Sequence, residues 1–279
     1  MKTVIRTTSA GRKLGLITSI VTLRGGFAAT AIAIGCLLVL SANYSTAAPH
    51  CGNPNPGIAP PDSRPLGLSY NRWVELADQW LYSFPTTISP SPTRVFGDMV
   101  VPPQGGFTGA TIPVTIEADQ WLYVPICFNT WLNTPGDPGW DSNTRWSHAP
   151  FTDPNTGITY HTYEAWVREV MKEYVDTLTP TSTIDGKPVR DLDMYRMQTG
   201  LFDITVPEDN AWDSSTYYLP PGTYGPALVD GWFAILHPMT PGKHTVVNTV
   251  TDASGATYSL TYDITVTSPS LRVSIVVLA

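Results

Sequence analysis

The C-terminal third of the chain alternates between apolar and polar residues. The apolar positions of this pattern are Tyr258, Leu260, Tyr262, Ile264 and Val266. A period of two places alternate side chains on opposite faces of a strand, so one face is predicted to be buried and the other solvated. Residues 244–251 have the same character, and the turn sequence Asp-Ala-Ser-Gly follows at 252–255. We therefore predict a long antiparallel hairpin.

Other segments also predict strands. Residues 112–116 alternate, and residues 121–128 form a continuous apolar run that is typical of a core strand. Asp185-Gly186 between two short β-prone stretches predicts a tight hairpin. A final apolar segment, residues 271–278, is predicted to close an edge of the sheet, because an exposed apolar edge strand promotes aggregation.

Two segments show a helical period instead. Near residues 70–83, apolar residues recur at Trp73, Leu76, Ala77, Trp80 and Leu81, and Pro85 ends the pattern. A stronger amphipathic helix is predicted near residues 162–178. Its apolar stripe comprises Tyr163, Trp166, Val167, Val170, Met171, Tyr174 and Leu178.

These elements together predict a mainly β protein, an antiparallel β-sandwich with two inserted amphipathic helices. We assign residues 69–279 to a single domain and residues 49–68 to a Pro/Gly-rich N-terminal arm. Because the 26 prolines are about twice the usual frequency of roughly 5%, long loops are expected between the elements.

The first 48 residues have the features of a signal peptide. An apolar run of 16 residues, 27–42, is too short to span a bilayer and leads into small residues that suit a signal peptidase. An uncleaved N-terminal anchor is the alternative. The sequence therefore predicts a secreted or periplasmic protein. The cations that precede the apolar run are Lys2, Arg6, Arg12, Lys13 and Arg24.

Removal of this segment leaves a strongly acidic chain. Without its five cations, 11 Lys and Arg remain against 23 Asp and Glu, a net charge of −12. Such a surface repels polyanions, which excludes nucleic acid as a partner and argues against membrane binding after signal cleavage.

Two cysteines remain after cleavage, Cys51 in the arm and Cys127 in the apolar run. An even number of cysteines in an exported chain permits one disulfide, which would attach the arm to the core. In the chain-entropy model a loop of this length contributes about 4 kcal/mol. Two free thiols, with Cys127 as a small buried hydrophobic residue, are the alternative.

Two motifs resemble those of a family of uncharacterised exported bacterial proteins. Trp73 through Trp80 to Ser-Phe-Pro at 83–85 is similar to its "W-x6-W…S-x-P" opening. Residues 229–245 resemble its second motif, "DGYW-x-x-L-x-PL-x-PGKHTI". The resemblance implies an exported β-rich fold and carries no established activity.

Candidate catalytic residues are few. The chain lacks G-x-S-x-G, H-E-x-x-H, C-x-x-C, P-loop and G-x-G-x-x-G motifs, which disfavours the common hydrolases and nucleotide enzymes. His148, His161 and Glu164 offer imidazoles beside a carboxylate, the minimum equipment for acid/base catalysis. The structural alternative is that Glu164 only stabilises the first turn of the second helix.

A divalent-metal site is a second hypothesis. His237 and His244 flank a six-residue Pro/Gly turn, and Asp230 is a candidate third ligand. The alternative is a β-turn with two partly exposed histidines and no cofactor.

A glycan-binding face is the third hypothesis. Trp131, Trp140 and Trp146 are assigned to a loop rich in Pro, Gly, Asp and Asn, residues 133–155, in which Asp141 is a candidate acceptor for sugar hydroxyls. The acidic residues of this loop could instead hold calcium. The further alternative is a loop folded onto the sheet with its tryptophans buried.

The sequence thus favours an exported binding or structural module for an extracellular glycan or polymer. An exported hydrolase, metal-assisted or acid/base, is the alternative, and a cell-surface assembly subunit is a third class. Whether the chain is an enzyme is left open.

Overall fold

The computed structural model describes residues 53–85, 91–104, 109–137, 139–141, 146–210 and 219–269. It is 43% strand and 17% helical, so the prediction of a mainly β protein with two helices is confirmed. Neither α-helix nor any other helix in the described ranges is long and apolar enough to cross a membrane. The predicted signal peptide and the segment 271–278 lie outside these ranges.

The described residues contain two α-helices, two short 3-10 helices and thirteen strands. The helices are α1 (Tyr70–Leu81), α2 (Tyr163–Asp176) and the 3-10 turns Pro65–Gly67 and Leu192–Tyr195. The strands are β1 (Arg94–Phe96), β2 (Met99–Val101), β3 (Ala110–Glu117), β4 (Trp121–Leu132), β5 (Phe151–Thr152), β6 (Thr159–Tyr160), β7 (Thr179–Ile184), β8 (Lys187–Pro188), β9 (Arg196–Gln198), β10 (Phe202–Val206), β11 (Gly222–Leu236), β12 (Gly242–Thr251) and β13 (Thr257–Thr267).

The strands form two main sheets and a two-stranded ribbon, β5–β6. The first sheet has the order β1-β2-β4-β11-β10, with β9 also paired to β11. The second has the order β3-β13-β12-β7-β8. Buried side chains of both sheets and of α1 contribute to one hydrophobic core.

Both main sheets are mixed, so a purely antiparallel arrangement is not what the structure has. β13 pairs with β3 in parallel, and β2 pairs with β4 in parallel. The hydrophobic alternation of a strand is the same in either orientation, and β3 and β13 are far apart in sequence. The sequence pattern therefore carries no signal for the parallel pairs.

The predicted C-terminal hairpin is confirmed. β12 and β13 pair in continuous antiparallel register from Gly242 opposite Val266 to Thr251 opposite Thr257. Of the alternating apolar residues in β13, Leu260, Tyr262, Ile264 and Val266 are buried, whereas Tyr258, next to the turn, is 44% exposed. The burial of one face fixes this register, because a slip of one residue would turn the apolar side chains to solvent.

The tight turn at Asp185-Gly186 is also confirmed. β7 and β8 pair across it, and both turn residues have positive φ, 50° for Asp185 and 72° for Gly186. Two consecutive left-handed residues give the turn a twist that matches the flanking strands, and Asp and Gly tolerate this conformation best.

Helix α1 is shifted around its axis relative to the predicted stripe. Its cap is Ser69, whose hydroxyl accepts from the backbone N–H of Arg72 at 3.3 Å. The buried positions follow the pattern i, i+3, i+4, i+7, i+8, and the last of them is an aspartate. They are Tyr70, Trp73, Val74, Ala77 and Asp78.

Helix α2 buries most of its predicted stripe. The hydroxyl of Thr162 accepts from the N–H of Ala165 at 3.2 Å and caps the helix. On the outer face, Arg168 contacts Glu164 at 2.7 Å and Lys172 contacts Asp176 at 2.6 Å, each pair one helical turn apart.

The long strand pair β4–β11 contacts both helices and the second sheet. Asn129 of β4 donates to the sulfur of Met171 in α2, and the next residue, Thr130, donates to Asp78 in α1. Because successive side chains of a strand point to opposite faces, the two helices cover opposite sides of β4. Asn248 of β12 is fully buried and donates to the carbonyl oxygen of Pro125 at 3.1 Å, which links the two sheets.

Gly231 allows β11 to lie close against β4. A Cβ atom added there would come within 2.3 Å of the carbonyl oxygen of Cys127, a contact with backbone that no rotamer change relieves. The glycine of the Asp-Gly-Trp sequence at 230–232 thus has a packing role in this strand pair.

The described part of the arm packs on the first sheet. Ala59 donates its backbone N–H to the carbonyl oxygen of Ile235 in β11 at 2.9 Å, and Ile58 forms an isolated bridge with Leu236. Both Ile58 and Ala59 are buried. The arm therefore contributes to the core at this point.

Candidate functional site

The three candidate catalytic residues share no hydrogen bond or ion pair with one another in the described part of the chain. His148 and His161 are both exposed on the surface. Glu164 is half-buried and accepts a hydrogen bond from Nε of Arg168 at 2.7 Å. The ion pair gives Glu164 a structural role on the outer face of α2, as the alternative interpretation expects.

The three candidate metal ligands have separate partners. Asp230 is paired with Arg196, and the ring of His237 lies 4.6 Å from that of Trp121. His244 has both ring nitrogens engaged: Nδ1 contacts Asp185 at 2.8 Å and Nε2 contacts the carbonyl oxygen of Thr240 at 2.9 Å. No group of three or more potential metal ligands occurs in the described part of the chain.

The His244–Asp185 pair makes stability depend on pH. The bond to Asp185 raises the pKa of His244 above its ordinary 6.5, because the protonated ring donates to both of its partners. The Asp185 carboxylate, despite partial desolvation, has a lowered pKa because His244 and the N–H of Thr245 donate to it. The histidine contribution is complete below about pH 6.5 and is lost as pH rises through the raised pKa; the aspartate contribution is lost as pH falls below about 3.8.

We therefore expect His244→Gln to lower the free energy of unfolding at pH 5 and to have a smaller effect at pH 9. Denaturant titration of both proteins at the two pH values measures this difference. His237→Gln is the matched control, since His237 has no carboxylate partner among the described residues. An equal loss at both pH values for His244→Gln would contradict the prediction.

The loop tryptophans are largely buried. Trp131, which lies in β4 and not in the loop, and Trp146 belong to a second hydrophobic cluster together with Tyr163 and Trp166 of α2. The rings of Trp131 and Trp166 meet edge-to-face with centroids 5.6 Å apart. Trp140 and Asp141 are half-buried. Trp131 and Trp146 therefore do not present open ring faces to a ligand in this conformation.

Cys127 is buried and free in the structure, and no disulfide occurs among the described residues. Burial raises the pKa of its thiol to about 12, so the thiolate is disfavoured at neutral pH. Cys51 lies outside the described ranges, so the predicted Cys51–Cys127 bridge remains a prediction.

A different group of aromatic residues does reach the surface, where the end of α1 meets the edge strand β1. We call the residues Trp80, Phe84, Arg94 and Phe96 the Arg94 patch. The rings of Trp80 and Phe84 meet edge-to-face with centroids 4.2 Å apart. The guanidinium carbon of Arg94 lies 4.8 Å from the ring centroid of Trp80 and 5.2 Å from that of Phe96. The three rings are half-buried and Arg94 is exposed.

The guanidinium of Arg94 has contacts with rings but none with an acid. Within the described ranges it takes part in no ion pair and no side-chain hydrogen bond, unlike Arg168 and Arg196. Stacking on aromatic faces leaves its N–H donors available in the plane of the group. The adjacent Val95 is 46% exposed, so the patch combines apolar area with free donors.

Comparisons of the chain with protein-family models, with curated proteins and with solved structures find no match. The resemblance to exported bacterial proteins stays a prediction, and the function is inferred from the chain's own residues.

The Arg94 patch is not evident from the sequence because its members come from two elements. Trp80 falls on the predicted apolar stripe of α1, and residues 94–96 carry no periodic signal of their own. The local feature that points to the patch is the sequence Arg-Val-Phe at 94–96, in which a cation lies two residues from an aromatic side chain.

Proposed function

We propose that the protein is an exported binding module and that it recognises an extracellular neutral glycan through the Arg94 patch. The β-sandwich that we propose as scaffold is formed by the two mixed sheets, whose buried faces share one core. The observation that carries the proposal is the position of the Arg94 guanidinium over two half-buried rings at the edge strand β1, with no ion pair or side-chain hydrogen bond to any described residue.

The chemistry of the patch suits a sugar. The apolar faces of sugar rings pack on aromatic side chains, and guanidinium N–H groups donate to hydroxyl and ring oxygens. The net charge of −12 for the chain without its predicted signal peptide disfavours a polyanionic ligand, so a neutral polysaccharide fits better than an acidic one. Because Trp131 and Trp146 are buried, this patch is a better candidate surface than the loop.

The proposal is tested by affinity electrophoresis of the full chain in gels that contain laminarin, hydroxyethylcellulose or glycol chitin, with polygalacturonate as the acidic comparison. We expect retardation by at least one neutral polymer and little dependence on salt, since the ligand carries no charge. Trp80→Ala and Arg94→Gln should each weaken binding by about tenfold or more, as the loss of a central contact usually does.

Two matched controls distinguish the patch from general effects. Trp140→Ala removes a half-buried indole from the loop, and Arg72→Gln removes an exposed arginine of α1 that already pairs with Glu75. Both should bind as the wild type does. Retardation by none of the neutral polymers, or equal loss in the controls and the patch variants, would contradict the proposal.

A further inference from the structure

Strand β3 lies at one edge of the second sheet. In the part of the chain that the structure describes, β3 pairs with β13 and with no other strand. Ile112, Val114 and Ile116 are buried on its core face, and Thr111 and Thr115 are exposed on the other. No second described strand pairs with the outer backbone groups of residues 110–116, and an open edge of this length attracts a further strand.

The chain that follows β13 starts beside this edge. Thr267, the last residue of β13, lies opposite Glu117 at the end of β3, and its carbonyl oxygen accepts from the N–H of Ala118 at 2.9 Å. Residues 268–270 then separate β13 from the apolar segment 271–278. Crossing β3 means covering two strand spacings, roughly 10 Å, and four Cα steps span up to about 13 Å.

The segment 271–278 matches β3 in length and in pattern. It has eight residues, like β3, and its odd-numbered positions are all apolar. In an antiparallel pairing, residues directly opposite each other point to the same face. The odd-numbered apolar residues lie on the core face when Leu271 is opposite Ile116. They also do so when the register is shifted by two residues, but not when it is shifted by one. The opposed pairs are Leu271 with Ile116, Val273 with Val114, Ile275 with Ile112 and Val277 with Ala110.

We propose that residues 271–278 add to the outer edge of β3 in the same molecule, as an antiparallel strand in this register. The core face of the second sheet then extends by one strand, and Arg272 comes to lie opposite Thr115 on the exposed face. A linker of three residues keeps the strand at a high effective concentration at its own edge.

Pro113 favours pairing within the molecule over pairing between molecules. Proline has no N–H to donate, so any strand that joins β3 there forms one ladder bond fewer. This loss weakens an untethered strand from another copy, whereas the tethered segment remains close whether or not that bond forms.

The test is disulfide trapping in the full chain. Thr115→Cys with Arg272→Cys places thiols directly opposite each other in the proposed register, and Thr115→Cys with Val273→Cys is the matched control, in which the second thiol faces the core side. Under mild oxidation we expect the first pair to give a monomeric species in which peptide mass mapping finds the two introduced cysteines linked. The control should give at least about tenfold less of the linked species, because its thiols lie on opposite faces of the sheet.

A chain that ends after Ser270 provides an independent measurement. It exposes the edge permanently, so size-exclusion chromatography with light scattering should show more dimer or aggregate than the full chain. Disulfide-linked dimers from the first pair would show exchange of the strand between copies and overturn pairing within the molecule. Equal trapping of both pairs would overturn the register. No trapping, with an unchanged truncated chain, would overturn the docking site itself.

Discussion

Asp78→Asn is expected to remove most of the pH dependence of stability that the wild-type protein shows between about pH 4 and pH 8. The Asp78 side chain of α1 faces β4 and is 3% exposed. Thr130 donates to its Oδ1 at 3.1 Å, and its Oδ2 has no hydrogen-bond partner among the described residues. Desolvation raises the pKa of its carboxyl from 3.8 to about 8, against the smaller effect of Thr130. The hydroxyl groups of Tyr82 and Tyr123 are titratable neighbours of Asp78.

The direction of this pH dependence is set by the number of protons that the folded and the unfolded chain bind. Between pH 3.8 and about 8 the Asp78 carboxyl is ionised in the unfolded chain and neutral in the folded one. The free energy of unfolding is therefore highest, as far as Asp78 is concerned, below pH 3.8, and it falls by up to about 1.4 kcal/mol per pH unit as pH rises towards 8. Asparagine cannot ionise and has no such slope. Because its amide N–H groups also lack acceptors, the variant should be less stable than the wild type at pH 4 and more stable above pH 8.

Urea titrations at pH 4, 6 and 8 measure this directly. Asp62→Asn is the control, since Asp62 is exposed in the arm and its replacement should leave the slope unchanged. The difference between wild type and Asp78→Asn also separates Asp78 from His244, whose contribution both proteins share. Curves for Asp78→Asn and wild type that run parallel across this range would show that Asp78 is ionised in the folded state.

Arg196→Met is expected to destabilise the protein by about 3–5 kcal/mol, the usual cost of leaving a buried charge without its partner. The side chain of Asp230 is only 3% exposed, and Arg196 donates to both of its oxygens, at 3.0 Å from Nε and 3.2 Å from Nη2. Arg196 also pairs with Asp176 of α2, and its guanidinium lies 5.2 Å from the ring of Trp232. One side chain therefore connects β9, β11 and α2.

Thermal and denaturant unfolding of three further variants give this prediction its controls. Arg72→Met breaks an exposed pair, Arg72–Glu75, and should change stability by less than about 1 kcal/mol. The double variant Arg196→Met/Asp230→Leu removes both charges and should recover most of the loss. Asp230→Leu alone leaves Arg196 with Asp176 and should cost less than Arg196→Met. A small effect for Arg196→Met would mean that Asp230 finds other donors, of which Gln198, at 3.2 Å, is the nearest.

The sequence does not predict which neighbours the candidate site residues have in the fold. The polarity of the loop predicts that part of it is exposed and leaves open whether its tryptophans are; in the structure, Tyr163 and Trp166 of α2 pack with Trp131 and Trp146. His237 and His244 flank one turn, which makes them candidates for a shared metal site or two independent side chains, whereas the partner of His244 in the structure is Asp185 from another hairpin. In each case the deciding neighbour is distant in sequence, and no local pattern reports on it.

The orientation of α1, which buries Asp78, also depends on residues distant in sequence. A polar residue within a helical pattern is read as solvent-facing, and the predicted stripe accordingly runs through Leu76 and Trp80. The helix is present as predicted, yet its orientation is set by packing against β10, β11 and Thr130 of β4. That orientation buries Tyr70 and Val74, and it takes Asp78 into the core with them.

The sequence by itself determined the mainly β class, the two helices, the Asp185-Gly186 turn and the C-terminal hairpin. These features depend on side-chain periodicity and on conformational preferences within a few residues, which every part of the chain carries locally. The tertiary structure decided the parallel pairing of β3 with β13, the burial of Asp78 and of the loop tryptophans, and the meeting of Trp80 with Arg94. These depend on which surfaces remain to be covered once the elements exist, and that choice is made by long-range packing of apolar area and the satisfaction of buried polar groups.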